Sequence, residues 1–119
     1  MSEPTLEWVA ADCAPPDESR AVAAVVRGRR VVVCRAGGRL FALDDRCPHA
    51  SEPLSGGALR GYALECPYHG GRLDVRDGRP LGPPIRRPAR TWAVREVGER
   101  VEIGLAPGDS GRRTTCTTS

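Results

Sequence analysis

Lysine is absent from this chain of 119 residues: all 18 basic side chains are arginine, and against 15 acids they leave a formal net charge of +3. We read the missing lysine as composition bias. Interleaved basic and aromatic residues, the footprint of a nucleic-acid surface, are missing as well. The densest basic segment, IRRPAR over Ile85–Arg90, contains no aromatic. Nucleic acid is therefore not an expected partner, and the segment reads as a solvated loop or as a docking rim for an acidic protein. No apolar stretch approaches the roughly 18 to 20 residues that a membrane-spanning helix needs, so no membrane association is expected. The opening MSEPTLEWVAADC lacks the basic start, the apolar run and the twin arginine of an export signal, which points to the cytoplasm. The 5 cysteines are an odd number with no sign of secretion, which argues against a disulfide framework and toward metal or redox chemistry.

The length suits one domain with a modest core, and no window carries a helical period. Short valine-rich and alternating runs predict strands instead, over Leu6–Ala11, Arg20–Arg27, Arg30–Cys34, Arg39–Leu43, Gly61–Glu65, Gly71–Val75, Thr91–Val97 and Arg100–Leu105. Gly28 and the Ala36–Gly38 break punctuate the first of these into an antiparallel meander. Many short strands with Gly/Pro turns predict a small all-β sandwich or barrel. Residues 106–119 carry too little apolar surface to fold and read as a disordered tail.

Against this background stand Cys47-Pro48-His49 and Cys66-Pro67-Tyr68-His69, with 16 residues between His49 and Cys66. The 2 histidines of the protein both fall here, and both segments open on Cys-Pro. Such a Cys2His2 set is able to hold zinc and so stabilise a binding module. Zinc sites, however, usually draw neighbouring ligands from C-x2-C or H-x3-H pairs that converge on one ion. A C-x-H pair on extended backbone reaches two adjacent metals more comfortably, thiolates on one iron and imidazoles on the other.

The segments CPHASEPLSGG and CPYHGGRLDVRDGRP resemble the two ligand loops of Rieske iron–sulfur proteins, in particular the small Rieske ferredoxins of bacterial oxygenases, and the likeness runs over nearly all of Leu6–Leu105. The resemblance implies an antiparallel Rieske-type β-sandwich over residues 1–105 with a small cluster-binding subdomain over about 45–84. It implies one [2Fe-2S] cluster per chain, held by Cys47, His49, Cys66 and His69. It further implies a monomeric one-electron carrier between a flavin-containing or NAD(P)H-linked reductase and a terminal Rieske oxygenase, not an enzyme in its own right. A Rieske-like small subunit of assimilatory nitrite reductase is the neighbouring alternative. Glu52 and Tyr68 stand where the respiratory branch of the family has a disulfide, and Gly71 and Leu73 where it has hydroxyl donors. Losing those donors predicts a potential near the low end of the Rieske range, about −150 mV. Gly78–Pro84 resembles the family's proline loop that covers the cluster. Cys34 reads as a small buried hydrophobe, and Trp8 and Trp92 as core or sheet-face residues.

Overall fold

The run Val31–Cys34 is apolar at every position instead of alternating, which half-buried strands do not tolerate but a strand walled in on both faces requires. The computed structural model, which describes residues 5–48, 52–68 and 70–106, shows why. Strand β3 (Arg29–Ala36) separates two apolar cores. Val31 and Val33 face one of them, while Val32, Cys34 and Ala36 face the other. Its neighbour β4 (Arg39–Asp44) divides in the same way, with Ala42 on the first side and Leu43 on the second. Full burial of each valine and leucine in it stabilises the fold by about 1.5–3 kcal/mol, so this shared wall ties both halves of the molecule together.

The remaining strands are β1 (Glu7–Ala10), β2 (Arg20–Val26), β5 (Leu59–Arg60), β6 (Ala63–Glu65), β7 (Arg72–Asp74), β8 (Pro80–Gly82), β9 (Thr91–Val97) and β10 (Arg100–Leu105). They form a six-stranded sheet in the order β1-β10-β9-β4-β3-β2 and a four-stranded sheet in the order β5-β6-β7-β8, every pairing antiparallel. Only Ala42↔Trp92 and Leu43↔Thr91 join the halves of the larger sheet, which lets β2-β3-β4 fold over β1-β10-β9 around the first core. The two edges then meet. The Val25 N–H donates to Asp12 Oδ1 at 2.6 Å, and Arg27 pairs with Glu7. Among the described residues there is no helix, so the all-β antiparallel expectation holds, and no helix is long and apolar enough to cross a membrane.

Every expected strand forms, Thr91–Val97 and Arg100–Leu105 with the expected ends and the others with ends shifted by at most two residues. Two short strands go beyond the expectation. Leu59–Arg60 and Pro80–Gly82 have no alternation of their own, and they exist because β6 and β7 offer them a ladder. Pro80 can open β8 because this is an edge strand, where a missing N–H costs little. Part of the expected proline loop is thus strand. Residues 107–119, most of the expected tail, lie outside the described residues.

Candidate metal centre

The second core lies beneath the ends of β4 and β6, where the two Cys-Pro segments emerge. Cys47 follows β4 closely and is 0% exposed; its N–H donates to the Glu52 carbonyl at 2.6 Å. Cys66 follows β6 directly and is 1% exposed; its N–H donates to the Gly71 carbonyl at 2.7 Å. Each cysteine amide therefore bonds the carbonyl five positions on, so two loops of different sequence close on the same frame. Pro48 and Pro67 follow the cysteines and have no N–H that would need a partner inside these tight frames. By chain position His49 and His69 fall within the frames, but both lie outside the described residues.

What brings the loops side by side is backbone proximity. A Cβ on Gly57 would run into the carbonyl oxygen of Glu65, the residue before Cys66, so only glycine lets the return of the first loop press against the approach to the second. The Glu65 N–H donates to the Ala58 carbonyl at 2.9 Å and holds them there. Cys47 and Cys66 join the same apolar cluster with Val32, Leu43, Leu54, Leu64 and Leu73.

Asp45 fixes the first loop from within. Its carboxylate, on a residue only 7% exposed, accepts the Leu54 and Ser55 N–H groups on Oδ1 and the Ser55 hydroxyl on Oδ2, each at 2.7 Å. Its own N–H donates to the Arg30 carbonyl at 3.1 Å, anchoring the loop to β3. Sequence reasoning missed Asp45, because its partners lie nine and ten positions away and no local cap pattern announces them. Asp74 plays the matching part at the end of β7. Arg76 clasps this buried carboxylate at 3.0 and 2.8 Å and stacks over Tyr62, with the guanidinium carbon 4.1 Å from the ring centroid. The Arg76 hydrogen bond, reinforced by its charge and that of Arg79, holds the Asp74 carboxyl below the usual carboxylate range despite burial, which acts the other way.

Gly71 seats the proline segment. A Cβ there would come within 2.7 Å of Ile85 Cγ1 and 3.2 Å of Pro84 Cδ, so the absent side chain is the socket on which Pro84 and Ile85 rest. An open cleft of about 550 Å³ runs between Pro48 of the first loop and Pro83, Pro84, Arg86 and Arg87. Tyr68 is 58% exposed and bonds no described residue, so it neither packs into the core nor hydrogen-bonds a cysteine sulfur.

The other cysteines stand apart from this geometry. Burial first, and then the nearby Asp45 charge, push the Cys34 thiol up to about 12, which keeps it protonated as the expected small hydrophobe. Burial and Asp12 also raise the Cys13 thiol, which sits half-buried at the other core. Cys116 lies outside the described residues. Trp92 is core, its indole N–H donating to Asp44 Oδ1 at 2.8 Å with Arg90 stacked 4.0 Å away. Trp8 lies on the sheet face under Arg95, 4.3 Å from the ring centroid.

None of the described cysteines forms a disulfide, and among the described residues no three His, Cys, Asp or Glu side chains gather to hold a metal. The described share of the motif is the cysteine pair. Two thiols withdrawn from water in matching loop frames, with a glycine-lined approach between the loops, suit a soft, thiolate-liganded iron centre. The residues present fit a cluster.

Comparison with known proteins agrees. The family model of the Rieske [2Fe-2S] domain matches residues 8–93. The anthranilate 1,2-dioxygenase ferredoxin subunit of Burkholderia cepacia is 36% identical over 107 residues, which is 88% of this chain and 99% of that protein. The ferredoxin of carbazole 1,9a-dioxygenase from Nocardioides aromaticivorans IC177 superimposes with a TM-score of 0.73 at 30% identity, covering 85% of this chain and 98% of that one. A solved complex of reduced oxygenase and oxidized ferredoxin in carbazole 1,9a-dioxygenase matches with a TM-score of 0.68 at 32% identity, over 82% of this chain and 92% of that one. On fold, paired loops and sequence together, the chain belongs to the Rieske [2Fe-2S] domain family and carries one [2Fe-2S] cluster.

Proposed function

We propose that the protein is a one-electron carrier that takes electrons from a flavin-containing or NAD(P)H-linked reductase and passes them to a terminal oxygenase. In this reading Cys47 and Cys66 ligate one iron and His49 and His69 the other. The observation that supports the reading is the twin closure of the loops, which sets each cysteine at the same point of an equivalent frame; the histidines fall within those frames by chain position. The ferredoxin components among its relatives support the carrier role. The domain is assigned to residues 1–105, with the cluster-binding part over about 45–84, and the protein is placed in the cytoplasm.

When bound, the cluster supplies one reversible reducing equivalent per chain. Two thiolates and two neutral imidazoles offset the roughly +2 charge of a diferric core almost completely, whereas four thiolates would leave about −2, so this ligand set favours uptake of an electron. Gly71 under Ile85 and the buried Leu73 present no hydroxyl to the centre, which favours a potential at the low end of the Rieske range. The free N–H of each histidine ring can release its proton at alkaline pH, and this couples the potential to pH there.

Electron paramagnetic resonance of the dithionite-reduced protein tests the ligand set. A His69→Cys variant that retains iron should give a changed spectrum, because thiolate then replaces imidazole at one iron. An unchanged spectrum would remove His69 from the set.

A further inference from the structure

The Ile85–Arg90 segment resolves into two kinds of arginine. Arg90 is engaged, stacked on the Trp92 indole. Arg86 and Arg87 are exposed, and neither makes a hydrogen bond, ion pair or ring contact with any described residue. Both line the cleft together with Pro48, the residue after Cys47, and Pro83 and Pro84, of which Pro84 rests on Gly71 of the second loop. No acid lines this cleft among the described residues, and the undescribed loop residues His49, Ala50, Ser51 and His69 carry no carboxylate either. Of the acids nearest the cleft, Asp44 bonds Trp92 and Asp45 bonds Leu54 and Ser55, while Glu52 of the first loop and Glu65, whose carboxylate lies beside Gly70 of the second, do not line it. Pro83 of the cleft lining is exposed, as are Tyr68 of the second loop and Leu81 of β8. Exposed apolar groups and unpaired cations next to the cysteine loops are the composition of a protein-docking face with a chosen charge sign.

Resting on the carrier reading, we propose that Arg86 and Arg87 form a basic rim, beside the electron-transfer edge, that docks a redox-partner protein through an acidic face. The field of such a rim reaches about a Debye length, roughly 8–10 Å at moderate salt, so it steers partners that approach this edge and not those that approach elsewhere.

Defined probes test it on the holoprotein, reduced with stoichiometric reductant and mixed in stopped flow with ferricyanide, which takes one electron to become ferrocyanide, or with the cation hexaammineruthenium(III). The variant R86E/R87E is compared with R39E/R100E, which reverses two exposed arginines at the β3–β4 and β9–β10 turns, at the far end of the sheet from the cysteine loops. Each Arg→Glu change lowers the net charge by two, so both variants go from +3 to −1; R39E/R100E also gives up the Arg100–Glu102 pair and the Arg39 stack on Phe41, both far from the cysteine loops. The wild-type ferricyanide rate should fall several-fold between low and high salt. R86E/R87E should lose at least about five-fold at low salt and reverse the salt slope, with the ruthenium probe responding in the opposite sense, while R39E/R100E stays near wild type. Poly-L-glutamate should slow ferricyanide oxidation of the wild type and leave R86E/R87E unaffected. Identical behaviour of the two variants would show that net charge alone acts and would overturn the rim. A charge effect without inhibition by poly-L-glutamate would confine the rim to small anions and overturn the docking role. If neither probe draws an electron from an iron-loaded protein, the carrier reading itself fails, which is a separate result.

Discussion

Replacing Asp45 by alanine should destabilise the protein out of proportion to the size of the change. The carboxylate accepts three hydrogen bonds of 2.7 Å, two of them from backbone amides of Leu54 and Ser55, and Leu54 is fully buried. Hydrogen bonds to a charged acceptor are each worth about 1.5–3 kcal/mol net, and every buried donor left without a partner costs about 1–3 kcal/mol. Water can reach the half-exposed Ser55 but not Leu54, so the losses do not simply add, and about 3–5 kcal/mol is the expected total. For a domain whose whole stability is of order 5–15 kcal/mol, that removes a large share of the fold and lowers Tm by roughly 10–20 °C. The substitution Asp45→Asn keeps one carbonyl oxygen for the two amides and should cost only about 1–2 kcal/mol. Urea unfolding of the iron-free protein isolates this effect from any change in cluster affinity. The loaded protein should in addition release iron to a chelator faster in Asp45→Ala, because the first loop loses its internal brace. An alanine variant within about 0.5 kcal/mol of wild type would refute the clamp, since that is the spread of neutral surface substitutions.

Two further outcomes follow from the same geometry. Gly57→Ala drives a methyl group into the backbone of Glu65, which has no flexible end to yield, so the loops must separate; we expect about 2–4 kcal/mol of destabilisation and loss of the cluster's visible absorption. Gly71→Ala meets only the side chains of Ile85 and Pro84 and should be milder, so a smaller loss than in Gly57→Ala is the check on that ranking. Asp74 has a folded-state pKa below its ordinary value of 3.8, so its contribution is fully present above that pH and disappears as pH falls through the lower folded value. The gap in denaturation midpoint between wild type and Asp74→Asn should therefore narrow as pH falls below 3.8. A gap that stayed constant with pH would show that the Asp74 charge carries none of the stability.

Legibility from sequence followed the range of the interaction involved. Local alternation and turn chemistry located the strands from β1 to β4 and from β9 to β10 nearly residue by residue, because a half-buried strand writes its period into adjacent positions. β5 and β8 left no such mark, being two and three residues long and held only by their neighbours in the small sheet. The Cys-Pro pairs were plain from residue type and spacing. The equal closure of their loops was not, since Glu52 and Gly71 contribute carbonyls that every residue has. Tyr68 illustrates the limit in the other direction: a large aromatic two positions after Cys66 does not announce its exposure, and only the fold places it out in solvent.

By itself the sequence settled the chemical inventory: an all-β chain with two thiol–imidazole pairs and no lysine, since residue identity decides which atoms can bind iron and which periods can form sheets. Tertiary structure alone decided that Asp45 is a brace and Asp44 a partner of Trp92, that Gly57 and Gly71 are points of close approach, and that Arg86 and Arg87 remain uncompensated while Arg90 does not. Those roles depend on neighbours distant in the chain, and burial and electrostatics act through distances in space that a one-dimensional pattern does not contain.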